Sequence, residues 1–260
     1  MATSPSKAPS KGSSKGPAKG SSKAPAKRRW IKWIFLGPLL IVLLVQLYFF
    51  LMVCWYAQVD PGSTSFMRAQ LSVLRETNPN ATLKHEWVPY ERISYNLKRA
   101  VVASEDANFN EHYGVDLKAI ERTYERNERR GKLVGGGSTI TQQLAKNLFL
   151  SGSRSYLRKG EETIIALMLE TVMSKQRILE IYLNVAEFGR GVFGAEAAAR
   201  YYFKTSAAKL STAQAARLAV MLPNPRFYDK NRSTRYLERR TSTIQRRIPS
   251  ADVPRADERP

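Results

Sequence analysis

The sequence is poor in the residues that form disulfides and zinc sites. It holds one cysteine, Cys54, and two histidines in 260 residues. A single cysteine cannot form an internal disulfide, and its neighbours in FFLMVCWY favour the role of a small hydrophobic residue. Three such side chains are too few for a closed zinc site of the His/Cys type. We therefore predict no structural zinc site and assign no metal ligands.

Acidic residues are also scarce. The chain has 22 Asp and Glu against 42 Lys and Arg, a net charge of +20. Nine of the basic residues and none of the acids fall in residues 1–32. A basic excess of this size favours an anionic partner, which can be a nucleic acid, an anionic lipid or a phosphorylated substrate. Charge alone does not choose among them.

Residues 1–29 are of low complexity, within a basic tail that covers residues 1–32. Lysine recurs at every fourth position from Lys7 to Lys27, between Ser, Pro, Ala and Gly. Such a segment has little apolar surface to bury, so we predict a disordered cytoplasmic tail. One interpretation is a tether to nucleic acid or anionic lipid. The other, which we favour, is a solvated tail that only fixes topology.

An apolar segment without formal charge follows over residues 33–56. Its 24 residues suffice to span a bilayer as a helix, and Trp33, Trp55 and Tyr56 lie at its ends, as interfacial aromatic residues do. Positive charge is concentrated before it, in KRRWIK. The positive-inside rule then predicts a single-pass protein with a cytoplasmic N-terminus. Residues 57–84 are predicted to connect this helix to the domain that follows.

The remaining sequence predicts a mostly α fold. Apolar residues recur at spacings of three and four, and no long stretch alternates with period two. We predict loops at VGGGS, EFGRGVFG and LPNPRF, where Gly and Pro interrupt the pattern, and a C-terminal helix and basic tail in 231–260. The predicted helices cover NLKRAVVASEDANF (96–109), LKAIERTYERNERRG (117–131), STITQQLAKNLFL (138–150), one long helix from RKGEE to EFG (158–189), and SAAKLSTAQAARLAVML (206–222).

Two adjacent acids in ASEDANFNEH are the first candidate for chemistry. A carboxylate beside apolar residues loses hydration, which raises its pKa and suits it to proton transfer. Alternatively, Ser104 caps a helix and Glu105 and Asp106 complement its positive end. The apolar residues before the acids place them nearer a helix end, which weakens the capping interpretation. From these residues alone, both interpretations stay open.

Two further segments combine cations with polar side chains. In GGGSTITQQLAKN (135–147) a glycine loop opens a helix and can offer backbone N–H groups to an anion, with Lys146 adding charge. RKGEE (158–162) joins two cations to two glutamates. Only one of these glutamates can face a given site, because helix neighbours point about 100° apart.

Together these segments resemble a known family. EDANFNEHYG, GGSTITQQLAKNLFL, RKGEE, SKQRILEIYLN and RLAVMLPNP, in this order, are similar to the five sequence blocks of the peptidoglycan glycosyltransferases of glycosyltransferase family 51. The resemblance covers residues 85–230. It implies a lysozyme-like, two-lobed helical domain that polymerises lipid II into β-1,4 glycan with inversion, releasing undecaprenyl diphosphate in cell wall biosynthesis. We expect no transpeptidase domain, because 260 residues leave no room for one.

The resemblance also implies roles for individual residues. Glu105 falls on the family's catalytic base, and Glu162, rather than Glu161, falls on its second glutamate. Asp106, Phe109 and His112 are interpreted as architecture of the first block. The residues expected to bind sugars and phosphates are Ser138, Thr139, Gln143, Lys146, Asn147, Arg158, Lys159 and Lys175.

The expected partners are lipid II, the growing glycan chain and membrane lipids, with proteins of cell-wall synthesis or division left open and nucleic acid not expected. No cofactor is expected to be required; Mg²⁺ or another divalent cation assisting the diphosphate is left open. The resemblance implies a periplasmic domain on the bacterial inner membrane. The basic segment 117–134, with Arg126, Arg129 and Arg130, is predicted to enter the lipid headgroup layer.

Two rival functions stand beside this one. The first is a lysozyme-like peptidoglycan hydrolase or lytic transglycosylase, which would need no diphosphate-binding cations. The second is a catalytically inactive, membrane-anchored binding protein whose lysine-rich tail holds nucleic acid or anionic lipid. The cations of the RKGEE block count against the first, and the acids at Glu105 and Glu162 count against the second.

Overall fold

A computed structural model describes residue 16 and residues 27–131, 137–150 and 155–254, with side chains from residue 36 onward except that of residue 130. The chain divides into two compact units, Met1–Val45 and Gln46–Pro260. The described part of the first unit is helical from Lys27. Except for residue 16, residues 1–26 of the predicted disordered tail lie outside the described residues, as do residues 255–260 of the predicted basic C-terminal tail.

The described residues form a mostly helical protein, as predicted. Three short strands and several single 3₁₀ turns accompany the helices. The helices are α1 (Lys27–Gln58), α2 (Ser65–Thr77), α3 (Tyr95–Glu105), α4 (Leu117–Arg130), α5 (Ile140–Phe149), α6 (Tyr156–Val172), α7 (Lys175–Val185), α8 (Ala195–Phe203), α9 (Thr212–Met221), α10 (Pro225–Lys230) and α11 (Arg235–Arg247). The strands are β1 (Lys84–His85), β2 (Glu187–Gly189) and β3 (Val192–Phe193).

Hydroxyl and carboxylate side chains mark where most of these helices begin. Each accepts a hydrogen bond from a backbone N–H of the first turn, which otherwise has no intrahelical partner. In α5, Thr139 and Gln142 form a reciprocal capping box. The other residues that cap in this way are Thr64, Ser94, Asp116, Ser155, Ser174, Ser211 and Thr234.

The apolar N-terminal helix is present, and it is longer than the predicted span. Helix α1 runs over Lys27–Gln58, and its segment Leu36–Gln58 has a mean hydropathy of 2.5, long and apolar enough to cross a membrane. Most of that segment is exposed to solvent, although Val53 is fully buried against the second unit's core. Exposed apolar residues in such number are compatible with a single-pass membrane anchor.

Two groups of helices build the core of the second unit. Helix α3 packs against α9 and α11, and α5 packs against α6, α7 and α2. The apolar face of α3 contributes Leu97 and Val101 and that of α5 contributes Ile140 and Leu144, all fully buried. The end of α3 meets α5 where Gln143 and Ile140 donate to the carboxylates of Glu105 and Asp106, and this junction carries parts of the first two sequence blocks.

The prediction of a loop at EFGRGVFG is wrong. Strands β2 and β3 form an antiparallel hairpin there, and β1 pairs with β3 in parallel, in the order β1-β3-β2. The strands are too short for period-two alternation to be visible, and β2 and β3 are buried throughout. Gly194 follows with φ +84°, and a Cβ there would lie 2.6 Å from the Asn184 carbonyl oxygen, so the turn into α8 requires glycine.

Three helix predictions need correction. The long helix predicted over 158–189 is two helices, because Ser174 accepts a hydrogen bond from the Arg177 backbone and begins α7. The helix predicted over 96–109 ends at Glu105. Only Thr212–Met221 of the segment 206–222 is α-helical, and α10 begins inside the loop predicted at LPNPRF. The hydrophobic periodicity of the sequence continues across these helix boundaries, whereas capping groups determine where a helix begins.

Candidate active site

The first acid of the ED pair is the last residue of α3. Ser94 caps the start of this helix, Glu105 ends it, and Asp106 leaves the helical conformation with φ −158°. The acids therefore lie at the negative end of the helix, where carboxylates gain nothing from the helix dipole. The interpretation in which Ser104 caps a helix that begins at these acids is wrong.

Glu105 is held by an amide rather than by a cation. Gln143 of α5 donates from Nε2 to Glu105 Oε2 at 3.0 Å, and Ser104 makes a longer contact of 3.4 Å to Oε1. Tyr182 of α7 donates its hydroxyl to Gln143 Oε1 at 3.0 Å. This second bond fixes the orientation of the amide, so that its N–H group faces the carboxylate.

Burial raises the pKa of the Glu105 carboxyl above the usual value of a glutamate. The hydrogen bonds from Gln143 and Ser104 and the positive charge of Arg240 in α11 act in the opposite direction, and the nearby Asp106 adds to the rise. Glu105 takes part in none of the ion pairs formed by the described residues. A carboxylate of this kind is suited to accept and release a proton.

Asp106 connects the first block to the start of α5. Its carboxylate hydrogen-bonds with His112 Nε2 at 2.9 and 3.0 Å and accepts the Ile140 backbone N–H at 3.0 Å. The Phe109 ring is fully buried and lies edge-on to the His112 ring. These contacts hold the loop after α3 against the start of α5, and the architectural role of the three residues stays a prediction.

The second glutamate lies between two cations. Glu162 is buried, and its carboxylate accepts Lys159 Nζ at 2.6 Å and Arg158 Nη1 at 3.2 Å. Its neighbour Glu161 points elsewhere and accepts the amide of Gln46. The structure thus separates the two glutamates, as the 100° step of a helix requires.

Lys159 links the cation pair to the second block. Besides Glu162, its ammonium donates to Ser138 Oγ at 2.8 Å and to Gln142 Oε1 at 3.3 Å. Its side chain nevertheless remains 43% exposed. Gln142 and Gln143 are adjacent in α5, so the first turn of this helix contacts both the Lys159–Glu162 cluster and Glu105.

The other residues predicted in the second block differ in their surroundings. Thr139 is buried, caps α5 and donates to the Gly114 carbonyl at 2.6 Å. Asn147 is buried in the last turn of the helix. The Lys146 ammonium lies 5.8 Å from the centre of the Phe66 ring, and its charge acts on the buried Glu187.

Lys175 contacts protein groups of the first block. Its ammonium donates to the His112 carbonyl at 2.6 Å and to Glu170 Oε1 at 2.8 Å, and it lies 4.5 Å from the centre of the Phe109 ring. Thr141 also donates to this Glu170 oxygen. Lys175 therefore ties the loop after α3 to the junction of α6 and α7, while the prediction that it contacts substrate is untested.

Sequence reasoning missed several polar residues around this site. Gln142 lies inside the second sequence block and could have been found there, whereas Glu170 falls between the third and fourth blocks. Tyr182 lies inside the fourth block and Arg240 outside all five, but the relevance of both depends on tertiary packing, which the sequence did not show. The same holds for the buried Glu187, whose carboxylate accepts two branches of the Arg226 guanidinium at 3.0–3.1 Å.

The carboxylates near the site are committed to protein partners. Within the described residues, no group of three or more His, Cys, Asp or Glu side chains is placed to hold a metal ion. Asp106 is bonded to His112 and Ile140, and Glu162 to two cations. This donor set does not fit a dedicated divalent-cation site, so we assign no step to a metal.

Comparison with known proteins identifies the family. A family model described as Transglycosylase matches residues 71–248. This chain belongs to the transglycosylase family. It is 65% identical over 227 residues to a biosynthetic peptidoglycan transglycosylase of Herminiimonas arsenicoxydans, covering 87% of this chain and 98% of that protein.

Further relatives carry the same description. The chain is 64% identical over 227 residues to a biosynthetic peptidoglycan transglycosylase of Janthinobacterium sp. (strain Marseille), covering 87% of this chain and 98% of that protein. It is 60% identical over 230 residues to one of Bordetella pertussis, covering 87% and 95%. The expected resemblance is therefore confirmed, and Glu105, Glu162 and all the predicted binding residues lie inside the part matched by the transglycosylase family.

Proposed function

We propose that this chain polymerises lipid II into β-1,4 glycan strands. Membership of the transglycosylase family and the description shared by its relatives support a peptidoglycan glycosyltransferase in cell wall synthesis. The observation that carries the finer assignment is that the two carboxylates of the site have different surroundings. A carboxylate of raised pKa outside any ion pair lies at the end of α3, and a carboxylate paired with two cations lies on α6.

In the proposed reaction Glu105 is the general base. It takes the proton from the 4-hydroxyl of the acceptor's GlcNAc, and that oxygen attacks the anomeric carbon of the donor from the face opposite the diphosphate. The new C–O bond forms as the bond from the anomeric carbon to the diphosphate oxygen breaks. An α-linked donor therefore gives a β-linked product, by the logic of an inverting glycosidase with a sugar hydroxyl in place of water.

The cations beside Glu162 stabilise the leaving group. Undecaprenyl diphosphate departs with the bonding electron pair, so its developing charge needs stabilisation more than it needs a proton. Glu162 pairs with Lys159 and Arg158 and so keeps both cations at the site before substrate arrives, and the exposed part of Lys159 is accessible to a phosphate. Ser138 and Gln143 then bind sugar and phosphate groups at the junction of α3, α5 and α6.

A lipid-linked substrate also accounts for the apolar helix. The segment Leu36–Gln58 is compatible with a membrane anchor, and it would keep the domain at the surface where lipid II resides. We place the domain on the periplasmic face of the bacterial inner membrane and the N-terminus in the cytoplasm, on the positive-inside rule. Proteins of cell-wall synthesis or division are further proposed partners.

Polymerisation of labelled lipid II by the purified full-length protein tests the function, with Glu105→Gln beside the wild type. We expect polymer from the wild type. From a folded variant we expect about 10²- to 10⁴-fold less, the usual contribution of a general base. A variant that polymerises normally would show that Glu105 is not the base. A wild type that shortens finished glycan would favour the hydrolase, and one that binds lipid II without reaction would favour the inactive binding protein.

A further inference from the structure

Gln46 is a polar side chain inside the apolar segment of α1. It lies within Leu36–Gln58 and is the first residue of the second compact unit. An amide in apolar surroundings costs free energy unless it is hydrogen-bonded. In the structure, Gln46 Nε2 donates to both carboxylate oxygens of Glu161 on α6, at 2.8 and 3.1 Å. A polar residue in the anchor thus has its partner on a helix of the active site.

The same part of α1 contacts two more helices of the site. The Phe49 and Tyr56 rings lie 5.4 and 6.0 Å from the Phe149 ring at the end of α5. Arg177 in the first turn of α7 donates to the Tyr56 carbonyl at 3.0 and 3.2 Å. Residues 46–58 therefore pack on the domain as one of its own elements, and Gln46 is the point at which they reach α6.

The first turn of α6 carries two exposed apolar side chains. Tyr156 and Leu157 in its first turn are 98% and 89% exposed. Arg158, Lys159 and Glu162 follow within two turns; both cations pair with Glu162, and Lys159 also donates to Ser138 of the second block. Glu161 points about 100° away from Glu162. A hydrogen bond that holds Glu161 therefore limits the rotation of this part of α6 and, with it, the direction of the two cations.

We propose that Gln46 is a positioning residue. Through Glu161 it fixes the first turns of α6, so that Arg158 and Lys159 face the diphosphate of the lipid-linked substrate. This inference rests on the proposed function. Since Gln46 would act through the cations and not through Glu105, its loss should weaken substrate binding without changing the acid limb of the pH profile, which depends on Glu105.

The test compares Gln46→Leu with Gln58→Leu in the full-length protein. Both variants replace a glutamine of α1 with leucine, but Gln58 is exposed at the end of the helix. For Gln46→Leu we expect a KM for lipid II raised about tenfold, the value of one charge-assisted hydrogen bond. We also expect faster hydrogen exchange over residues 156–163. Gln58→Leu should match the wild type in both measurements.

Variants of Glu161, the partner of Gln46, distinguish loss of this contact from a general folding defect. Glu161→Gln keeps an acceptor for the Gln46 amide and should retain a low KM, whereas Glu161→Leu should raise the KM as Gln46→Leu does. The two leucine substitutions together should cost no more than either alone. Equal exchange and equal KM in Gln46→Leu and Gln58→Leu would overturn the inference. A wild type that makes no polymer would instead overturn the proposed function, and hydrogen exchange would still test the contact.

Discussion

The two glutamates of the site lie in opposite electrostatic surroundings. Glu105 is bonded to the amide of Gln143, and burial raises its pKa. Glu162 is bonded to the ammonium of Lys159 and the guanidinium of Arg158. Neutral partners leave a carboxylate free to exchange a proton, whereas two cations make it part of a charged cluster. Two residues of one type thereby acquire different roles, because the surroundings set what each carboxylate can do.

Replacing each of these glutamates with glutamine should have the largest effects on activity. The two variants should differ in how much activity they lose and in which kinetic constant changes. Glu105→Gln removes the group that accepts the proton, so it should lower kcat about 10²- to 10⁴-fold. Glu162→Gln leaves both cations in place but removes the charge that orients them. It should lower kcat/KM roughly 10- to 100-fold, the value of one or two charge-assisted hydrogen bonds.

Steady-state polymerisation of lipid II at varied concentration separates these effects. In Glu162→Gln, a raised KM would indicate lost binding of the diphosphate in the ground state, and a lowered kcat would indicate lost stabilisation of the leaving group. Circular dichroism of each variant supplies the control for folding. Equal losses of kcat in the two variants would contradict the division of labour and would indicate that both carboxylates act on the same proton.

The pH profile sharpens the comparison at Glu105. The base acts when it is deprotonated, so activity should fall as the pH drops through its pKa, which burial raises above that of an ordinary glutamate. The hydrogen bond from Gln143 opposes this rise. Gln143→Leu should therefore raise the pKa further and move the acid limb of kcat/KM to higher pH.

The adjacent Gln142 offers a matched control. Its side chain contacts Lys159 and Thr163 rather than Glu105. Gln142→Leu should consequently reduce activity without displacing the acid limb. Measurement of kcat/KM from acid to neutral pH in both variants tests this expectation. A limb that moves equally in the two variants, or toward lower pH in Gln143→Leu, would count against Glu105 as the titrating base.

The sequence predicted the helical class and the two carboxylates, but not how each carboxylate is held. Periodicity identified the segments that became α3 and α5, and the distinction between Glu161 and Glu162 followed from the resemblance to the family. The amide on Glu105 comes from a residue predicted to bind substrate, and the tyrosine that orients this amide lies on α7. Such partners are far apart in the chain, so no local pattern predicts them.

Capping and strand pairing account for the elements that were predicted incorrectly. Helix α6 ends at Val172 and Ser174 caps the start of α7, although neither glycine nor proline lies between the two helices. The β2–β3 hairpin is buried and too short to show alternation. The start of α7 depends on a single capping group, and strand β3 also pairs with residues 84–85. Hydrophobic periodicity detects neither feature.

Helix α4 carries neither carboxylate, so its substitution should have the smallest effect on catalysis. Leu117, Ile120 and Tyr124 are exposed on it, beside exposed arginines. Such a helix suits the headgroup layer of an anionic membrane, where each basic residue contributes roughly 1 kcal/mol. Replacing Arg126, Arg129 and Arg130 with Glu should weaken binding to anionic vesicles by a chain lacking residues 1–45, which keeps the packed segment 46–58, while kcat in the full-length protein should change little.

The exposed arginines of α11 provide the matched control for this charge reversal. Arg235, Arg239 and Arg246 replaced with Glu change the net charge by the same amount on a different helix. Vesicles with and without anionic lipid should distinguish a local surface from general attraction to a basic protein. If both triple variants lose binding equally, only net charge matters. If the α4 variant binds as the wild type does, α4 is not the membrane-facing helix.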